Sequence, residues 1–262
     1  DGVTGVQTCA LPILHGQVRE LCSNYGDIDI LWFDSLQIHP MEGGGGEPAY
    51  PPEWVKDWDS IELFRTIRSM QPHIIINNRC GLEGDFDTPE QHVGFFQTGR
   101  PWESCITICR QWAWKPDDDM KSLRECIRIL VMCAGGDGNL LLNVGPMPDG
   151  RIEPRQAERL KEIGAWLRKY GESIYATRGG PFPPGDWGAA TFRGNAVYVH
   201  ILDTTREKIM LPHLDRKIVS HSCLTGGRIE VRQTGEGTEI GIPAGSRNTI
   251  DTLVKLSLGE TR

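Results

Sequence analysis

The chain has 262 residues, of which 39% are apolar and 24% charged, and its formal net charge is −7 at pH 7. This length allows one large domain or two small ones. A negative charge without a basic stripe argues against a nucleic-acid partner, and no apolar run reaches the roughly 18 residues that a membrane-spanning helix needs. The eight cysteines form no C-x-x-C pair, so we expect buried thiols rather than a zinc site or disulfides.

The first thirteen residues, DGVTGVQTCALPI, show no clear hydrophobic periodicity. They resemble translated sequencing-adapter DNA at the end of an assembled fragment. We therefore expect residues 1–13 to be a non-native leader that plays no part in the fold. On this expectation the natural amino terminus is missing from the chain.

A helix is predicted from Leu14, and the chain then enters the segment YGDIDILWFDS, whose apolar run predicts a buried strand that ends at Asp34. A carboxylate at the end of an inward-facing strand loses hydration. It stays charged only where hydrogen-bond donors or cations surround it. We therefore expect such groups around Asp34.

Further along the chain, helices and short apolar strands alternate. After a Gly- and Pro-rich loop, DWDSIELFRTIRSMQP predicts a helix with Ile61, Phe64, Ile67 and Met70 on one face. The strands HIIINNR and NLLLNVGP and two more helices follow, the last of them in EPRQAERLKEIGAWLRKYGESIY. This alternation predicts a parallel sheet covered by helices. Polar residues at the carboxyl ends of its strands are typical of the functional face of a β/α barrel.

The pattern of apolar and polar residues changes after about Arg178. Short alternating segments such as AVYVHIL, RIEVRQ and DTLVKLSL recur there at intervals of about ten residues, with Gly and Asn between them. This spacing predicts an antiparallel β-sandwich over residues 179–262.

Acidic residues near the strand ends are candidates for glycosidic chemistry. Hydrolysis of a glycosidic bond needs one carboxyl group as nucleophile or base and another as the acid that protonates the leaving oxygen. Asp34 is the first candidate. Candidates for the second carboxyl group are Glu83, Asp85, Asp87, Glu90 and Glu103. Composition alone does not choose among them.

Four segments together resemble the α-L-fucosidases of glycoside hydrolase family 29. They are YGDIDILWFDS, IIINNRCGLEGDFDTPEQ, PWESCITICRQWAW and the long stretch from GGDGNLLLNVGP to GESIYATR. The resemblance is strong over residues 14–178 and weak over the remainder. It implies an α/β fold: the C-terminal part of a (β/α)8 (TIM) barrel at 14–178, followed by the family's β-sandwich.

The resemblance also implies roles for individual residues. Asp34 corresponds to the nucleophile, and Glu90 to the acid/base, with Glu103 the runner-up and Glu83 less favoured. Arg79, in the Asn-x-Arg motif, corresponds to a residue that contacts the sugar near the nucleophile. The implied mechanism is retaining, with the two carboxyl groups about 5–5.5 Å apart, and it needs no metal or organic cofactor.

Four tryptophans are candidates for packing against a sugar face or the fucose methyl group: Trp32, Trp102, Trp112 and Trp114. Trp102 and Trp114 are the best placed, and His39 is a candidate for contact with the sugar or the aglycone. Ordinary core packing is the alternative for each tryptophan. The Trp112-Ala113-Trp114 segment departs from the Trp-Gly-Tyr of many relatives.

The expected function is hydrolysis of terminal α-L-fucose from glycans or glycoconjugates. The resemblance implies that the family's first barrel strands precede this stretch, and if they are missing we expect little activity from the chain as it stands. One alternative is a non-catalytic carbohydrate-binding relative. Another is an unstable piece, since an open half-barrel exposes strand edges and apolar faces.

Overall fold

The computed structural model describes residues 4–34, 55–56 and 58–260, with side chains from residue 11 onwards. His39 and the whole Gly- and Pro-rich loop at residues 36–54 lie outside the described residues. The chain divides into two compact units, Asp1–Pro89 and Glu90–Arg262. None of the described helices is long and apolar enough to cross a membrane.

Among the described residues, the named elements of the first unit are α1 (Thr4–Asn24), β1 (Ile30–Leu31), α2 (Ser60–Met70) and β2 (Ile75–Ile76), and the two short strands are parallel. Ile30 lies opposite Ile75 in the parallel pair. The helix expected from Leu14 begins at Thr4 instead, inside the segment expected to be a non-native leader.

The core of the first unit forms between the two helices and β2. Leu63 and Ile67 of α2 are fully buried there, whereas Ile61 is 55% and Met70 37% exposed. The predicted apolar face of α2 is therefore buried only in part. At about 100° per residue, Leu63 lies on this face between Ile67 and Met70, whereas Ile61 lies at its edge. The core closes over Leu63, Phe64 and Ile67 and leaves Ile61 exposed.

The second unit begins with an α/β part. Its elements are β3 (Glu103–Thr107), α3 (Leu123–Gly135), β4 (Asn139–Asn143), α4 (Pro154–Tyr170) and a 3₁₀ turn at Gly171–Ser173. Strands β3 and β4 are parallel, as the alternation of helices and strands predicted. Helix α3 begins with a capping box in which Ser122 and Glu125 each bond the other's backbone N–H.

Eight antiparallel strands complete the second unit: β5 (Arg178–Gly179), β6 (Gly188–Arg193), β7 (Ala196–Ile201), β8 (Lys208–Leu211), β9 (Ile218–Cys223), β10 (Glu230–Gln233), β11 (Thr238–Gly241) and β12 (Thr252–Leu258). They form a five-stranded sheet in the order β5-β6-β7-β12-β9 and a three-stranded sheet in the order β10-β11-β8. The two sheets pack face to face through a shared apolar core. The predicted β-sandwich is confirmed.

The central strands β7 and β12 of the five-stranded sheet are buried on both faces, whereas the edge strand β9 is largely exposed. Tyr198 and Leu253 pack on the helices beside Trp166, whereas Val199 and Val254 point into the sandwich core. This follows from the alternation of side chains along a strand. The boundary expected at residue 178 therefore runs through a shared core, and it stays a prediction, while the compact units divide between residues 89 and 90.

A polar contact also joins the sandwich to the 3₁₀ turn. The Glu172 carboxylate accepts hydrogen bonds from the Lys255 ammonium at 2.7 Å and the Tyr198 hydroxyl at 2.9 Å. The Lys255 ammonium, more than the Tyr198 hydroxyl, lowers the pKa of Glu172. Among the seven cysteines whose side chains are described, Cys223 is partly exposed and the others are buried.

Candidate functional site

Asp34 and Arg79 meet in the first unit. Asp34 follows β1 and Arg79 follows β2, and because these strands are parallel neighbours their carboxyl ends share one edge. Arg79 Nη1 lies 3.3 Å from Asp34 Oδ1. The expectation that Arg79 reaches Asp34 is confirmed.

The two partners differ sharply in burial. The Arg79 side chain is 3% exposed and that of Asp34 78% exposed. The expected dehydration of Asp34 was therefore wrong: Phe33 fills the core, and because neighbouring side chains of an extended chain point to opposite sides, the Asp34 carboxylate faces outward. An ion pair with one exposed partner adds little to stability. Its value is to fix the position of the Asp34 carboxylate.

Arg79 is held by contacts on several sides. Its Nε donates to Thr88 Oγ1 at 2.8 Å, and its Nη2 donates to the Thr88 carbonyl oxygen at 3.1 Å. The Trp32 ring lies 4.6 Å from the guanidinium carbon, a cation–π contact. Trp32 thus supports Arg79 directly, and its contact with substrate stays a prediction.

Asn77 fixes the backbone just before Asp34. Its side chain is fully buried; Oδ1 accepts the Phe33 N–H at 2.9 Å and Nδ2 donates to the Phe33 carbonyl at 2.8 Å. These two bonds continue the pairing of the strands beyond Leu31. Sequence reasoning missed this role, although the paired asparagines of IIINNR were the available signal.

The loop after Arg79 packs back onto β2. Gly84 has φ +58°, and a Cβ there would lie 2.4 Å from the Asn77 carbonyl oxygen. The Asp85 carboxylate accepts the Ile76 N–H at 2.7 Å and binds both oxygens to Arg68 Nη2 at 2.8 and 2.7 Å. Asp85 therefore anchors the loop.

Glu90 lies in the second unit, with its backbone beside the middle of β3. It forms an isolated parallel bridge with Cys105, its side chain is half-buried, and its carbonyl contacts His92 Nδ1 at 2.8 Å. Glu103 instead occupies the amino end of β3, where its carboxylate accepts from Asn139 Nδ2 at 2.5 Å. Glu83 belongs to the first unit and is exposed.

Trp102 is packed among three glycines. It is 4% exposed, and a Cβ at Gly94, Gly136 or Gly138 would lie within 2.8 Å of its ring, as close as 2.2 Å at Gly138. These contacts give the indole a packing role in the second unit. Contact of Trp102 with a substrate stays a prediction.

The loop after β3 carries Trp112 and Trp114. Asn143 Nδ2 donates to the Trp112 carbonyl at 3.1 Å, and a Cβ on Gly145 would lie 2.6 Å from the backbone nitrogen of Trp114. Trp112 is 39% exposed, and Trp114 is half-buried. The loop is therefore fixed to the carboxyl end of β4, while substrate contact by either indole stays a prediction.

Several buried donors near these residues have no hydrogen-bond partner within the described part of the chain. They include the indole nitrogens of Trp32, Trp102 and Trp114. The Trp114 nitrogen lies close enough to Glu153 to help lower the pKa of that carboxyl, to which Arg155 contributes most. No group of three or more acidic, His or Cys side chains in the described residues is arranged to hold a metal ion.

Comparison with known sequences identifies relatives over the first two thirds of the chain. The family model described as alpha-L-fucosidase matches residues 11–172. Plasma alpha-L-fucosidase of Pongo abelii is 29% identical over 178 residues, covering 62% of this chain and 34% of that protein. The alpha-L-fucosidase of Branchiostoma floridae is 35% identical over 166 residues, covering 56% and 36%. The chain thus spans about a third of the length of these relatives.

Solved structures resemble nearly the whole chain. Alpha-L-fucosidase isoenzyme 1 of Paenibacillus thiaminolyticus has a TM-score of 0.78 and 32% identity, covering 97% of this chain and 63% of that one. An alpha-L-fucosidase of Bacteroides thetaiotaomicron, trapped as a covalent intermediate with 2-fluoro-fucosyl fluoride, has a TM-score of 0.77 and 22% identity, covering 95% and 61%. The second likeness concerns the fold alone. Because the family model matches more than half of its residues, the chain belongs to the alpha-L-fucosidase family.

Proposed function

We propose that the chain carries the nucleophile and the acid/base of a retaining α-L-fucosidase, which hydrolyses terminal α-L-fucose from glycans or glycoconjugates. One observation carries the proposal: a buried Arg79 meets an accessible Asp34 at the carboxyl ends of two parallel strands. We further propose that the helices and parallel strands form the C-terminal part of a (β/α)8 barrel, whose functional face is that strand edge.

The proposed chemistry has two steps. Asp34 attacks the anomeric carbon and forms a fucosyl ester, while Glu90 donates its proton to the departing aglycone oxygen. Glu90 then removes a proton from water, the resulting oxygen attacks the anomeric carbon, and the ester bond breaks to release fucose and free Asp34. These steps use no metal or organic cofactor. Arg79 would orient Asp34 and contact the sugar.

The positions of the competing acids support Glu90. Functional groups of a β/α barrel gather at the carboxyl ends of its strands, whereas Glu103 lies at the amino end of β3 and is engaged by Asn139. Glu83 is exposed and lies in the loop after β2. The Glu90 backbone is bridged to Cys105, two residues nearer the carboxyl end of β3 than Glu103.

Covalent trapping tests the assignment. In a Glu90→Gln variant treated with 2-fluoro-fucosyl fluoride, fluoride departs without protonation, so the Asp34 ester still forms. Its hydrolysis lacks a base, so the ester accumulates. Mass spectrometry should find one added fluorofucosyl group on the peptide that contains Asp34. Because the adduct accumulates over hours, the experiment detects chemistry too slow for a turnover assay.

Matched variants complete the test. Asp34→Asn in the same background should give no adduct, and the adduct of Glu103→Gln with an intact Glu90 should be hydrolysed faster than that of Glu90→Gln. An adduct on another carboxylate would reassign the nucleophile, and an adduct that lasts longer in Glu103→Gln than in Glu90→Gln would move the acid/base role to Glu103. A non-catalytic carbohydrate-binding protein would give no adduct in any variant.

A further inference from the structure

Arg79 approaches Asp34 in a single orientation, and the origin of that orientation lies outside the residues assigned above. Thr88 is 7% exposed and contacts Arg79 twice, through its hydroxyl at Nε (2.8 Å) and its carbonyl at Nη2 (3.1 Å). Nε and Nη2 form one edge of the planar guanidinium. Fixing that edge directs the remaining nitrogen, Nη1, toward Asp34.

The Thr88 hydroxyl is itself oriented by a relay of hydrogen bonds. It donates to Asn78 Oδ1 at 2.8 Å, and Asn78 Nδ2 donates to Asp87 Oδ1 at 3.2 Å. A hydroxyl has one proton to donate, and here Asn78 takes it, so a lone pair faces Arg79. The hydrogen bonds that link Asp87, Asn78, Thr88 and Arg79 are thus each made with a defined donor and a defined acceptor.

The face of the guanidinium is restrained as well. The Trp32 ring covers it at 4.6 Å, so Thr88 defines the rotation of the group and Trp32 defines its plane. Asp34, in contrast, is largely exposed. Among the described side chains, the contacts that orient this ion pair are therefore those made to Arg79.

We propose that Thr88 is a positioning residue of this site: it touches no sugar, and it holds Arg79 in the direction that places the Asp34 carboxylate for attack. Asn78 serves the same purpose by orienting the Thr88 hydroxyl. The catalytic consequence rests on the proposed function, whereas the positioning of Arg79 does not. A misplacement of about 1 Å at a reacting group can slow a reaction on the order of a hundredfold.

Two substitutions separate positioning from packing. Thr88→Val keeps the shape and branching of the side chain and removes the hydroxyl, whereas Thr88→Ser keeps the hydroxyl and removes the methyl group. If Thr88 only filled space, serine would be the more damaging change. If it positions Arg79, valine is the damaging change and serine rescues.

The first readout needs no activity. The Arg79 Nε–H signal, identified in ¹⁵N spectra by its loss in Arg79→Lys, should exchange slowly with water in the 262-residue chain. Thr88→Val should speed this exchange about tenfold or more, the effect of losing one buried hydrogen bond, and Thr88→Ser should stay within about threefold. Equal exchange in the parent and the valine variant would overturn the proposal.

The second readout is the rate of covalent labelling by 2-fluoro-fucosyl fluoride in the Glu90→Gln background. Thr88→Val should lower the maximal rate at saturating reagent by about 10- to 100-fold, and Thr88→Ser should restore most of it. Labelling of the valine variant at the parental rate would overturn the catalytic part of the proposal. If the parent itself is not labelled, the proposed function fails, and the Arg79 Nε–H exchange still decides the positioning role.

Discussion

Replacement of Asn77 by alanine should loosen the strand that carries Asp34. The substitution removes the two side-chain bonds to Phe33, at 2.9 and 2.8 Å, from a position with no solvent exposure. A buried backbone group that loses its partner costs about 1–3 kcal/mol, and two such groups sharing one small site give about 2–4 kcal/mol. Since 1.4 kcal/mol is a factor of ten, protection of the Phe33 amide should fall by about 30-fold or more.

Native-state hydrogen exchange measures this effect directly at the Phe33 amide. Asn77→Asp is the matched control: it keeps an acceptor for the Phe33 N–H but has no donor for the Phe33 carbonyl, so the amide should retain more protection than in Asn77→Ala. The Val199 amide, in the second unit, should be unaffected in both variants. A Phe33 amide that exchanges within threefold of the parent rate in Asn77→Ala would refute the reasoning.

Three further outcomes are expected. Gly138→Ala places a Cβ 2.2 Å from the Trp102 indole ring and should lower the free energy of unfolding by about 1–3 kcal/mol. Gly164→Ala is the control in a helix, where the nearest atom would be 3.6 Å away, and it should raise the free energy of unfolding by about 0.5–1 kcal/mol. Similar urea midpoints for the two variants would contradict the packing argument. Burial raises the pKa of the Cys133 thiol to about 12, so this thiol should resist a disulfide reagent at pH 8 until the protein unfolds, and native labelling would contradict its burial. The Lys255 ammonium lowers the pKa of Glu172, so the stability that this ion pair contributes is present above the ordinary pKa of about 4.5 and is lost as the pH falls through the folded value. Glu172→Gln should therefore lower the free energy of unfolding by about 0.5–1 kcal/mol at pH 7, a figure kept small by solvent exposure, and the difference from the parent should close below pH 4.5. A difference that does not depend on pH would rule out the ion pair as its cause.

Hydrophobic pattern predicted the elements that depend on it. The parallel pairing of β1 with β2 and of β3 with β4, and the antiparallel sandwich, all follow from apolar runs and their spacing. The pattern did not predict how far burial extends around a helix. On α2 it placed Ile61 on the apolar face with Ile67, whereas packing buries Leu63 and Ile67 and leaves Ile61 exposed.

The charged residues of the candidate site could be predicted from the sequence, whereas the residues that hydrogen-bond to them could not. Asp34 and Arg79 could be paired because both follow strands of one sheet. The exposure of Asp34 could not be predicted, because a run in which Trp32, Phe33 and Asp34 follow one another does not indicate which side chains face the core. Asn77 is a polar strand end in the sequence and Thr88 a polar loop residue, and only the folded backbone brings them to Phe33 and Arg79.

The tryptophans show a different limit of sequence reasoning. An indole that packs in a core and one that contacts a sugar have the same composition and similar neighbours in sequence. Trp102 is enclosed by glycines at positions 94, 136 and 138, which come from two segments about forty residues apart along the chain. Such a pocket is visible only after folding.

The burial of strands β7 and β12 on both faces limits how their residues can be substituted. Tyr198 and Leu253 contact the helices, and their strand neighbours Val199 and Val254 contact the second sheet. A substitution of Trp166 in the helical layer therefore changes the packing of β7. We expect compensating substitutions among the strand residues after position 178, which recombination near that position would separate from the helices. Chimaeras joined near residue 178 should inherit mismatched surfaces, whereas exchanging the helices and strands together preserves the fit.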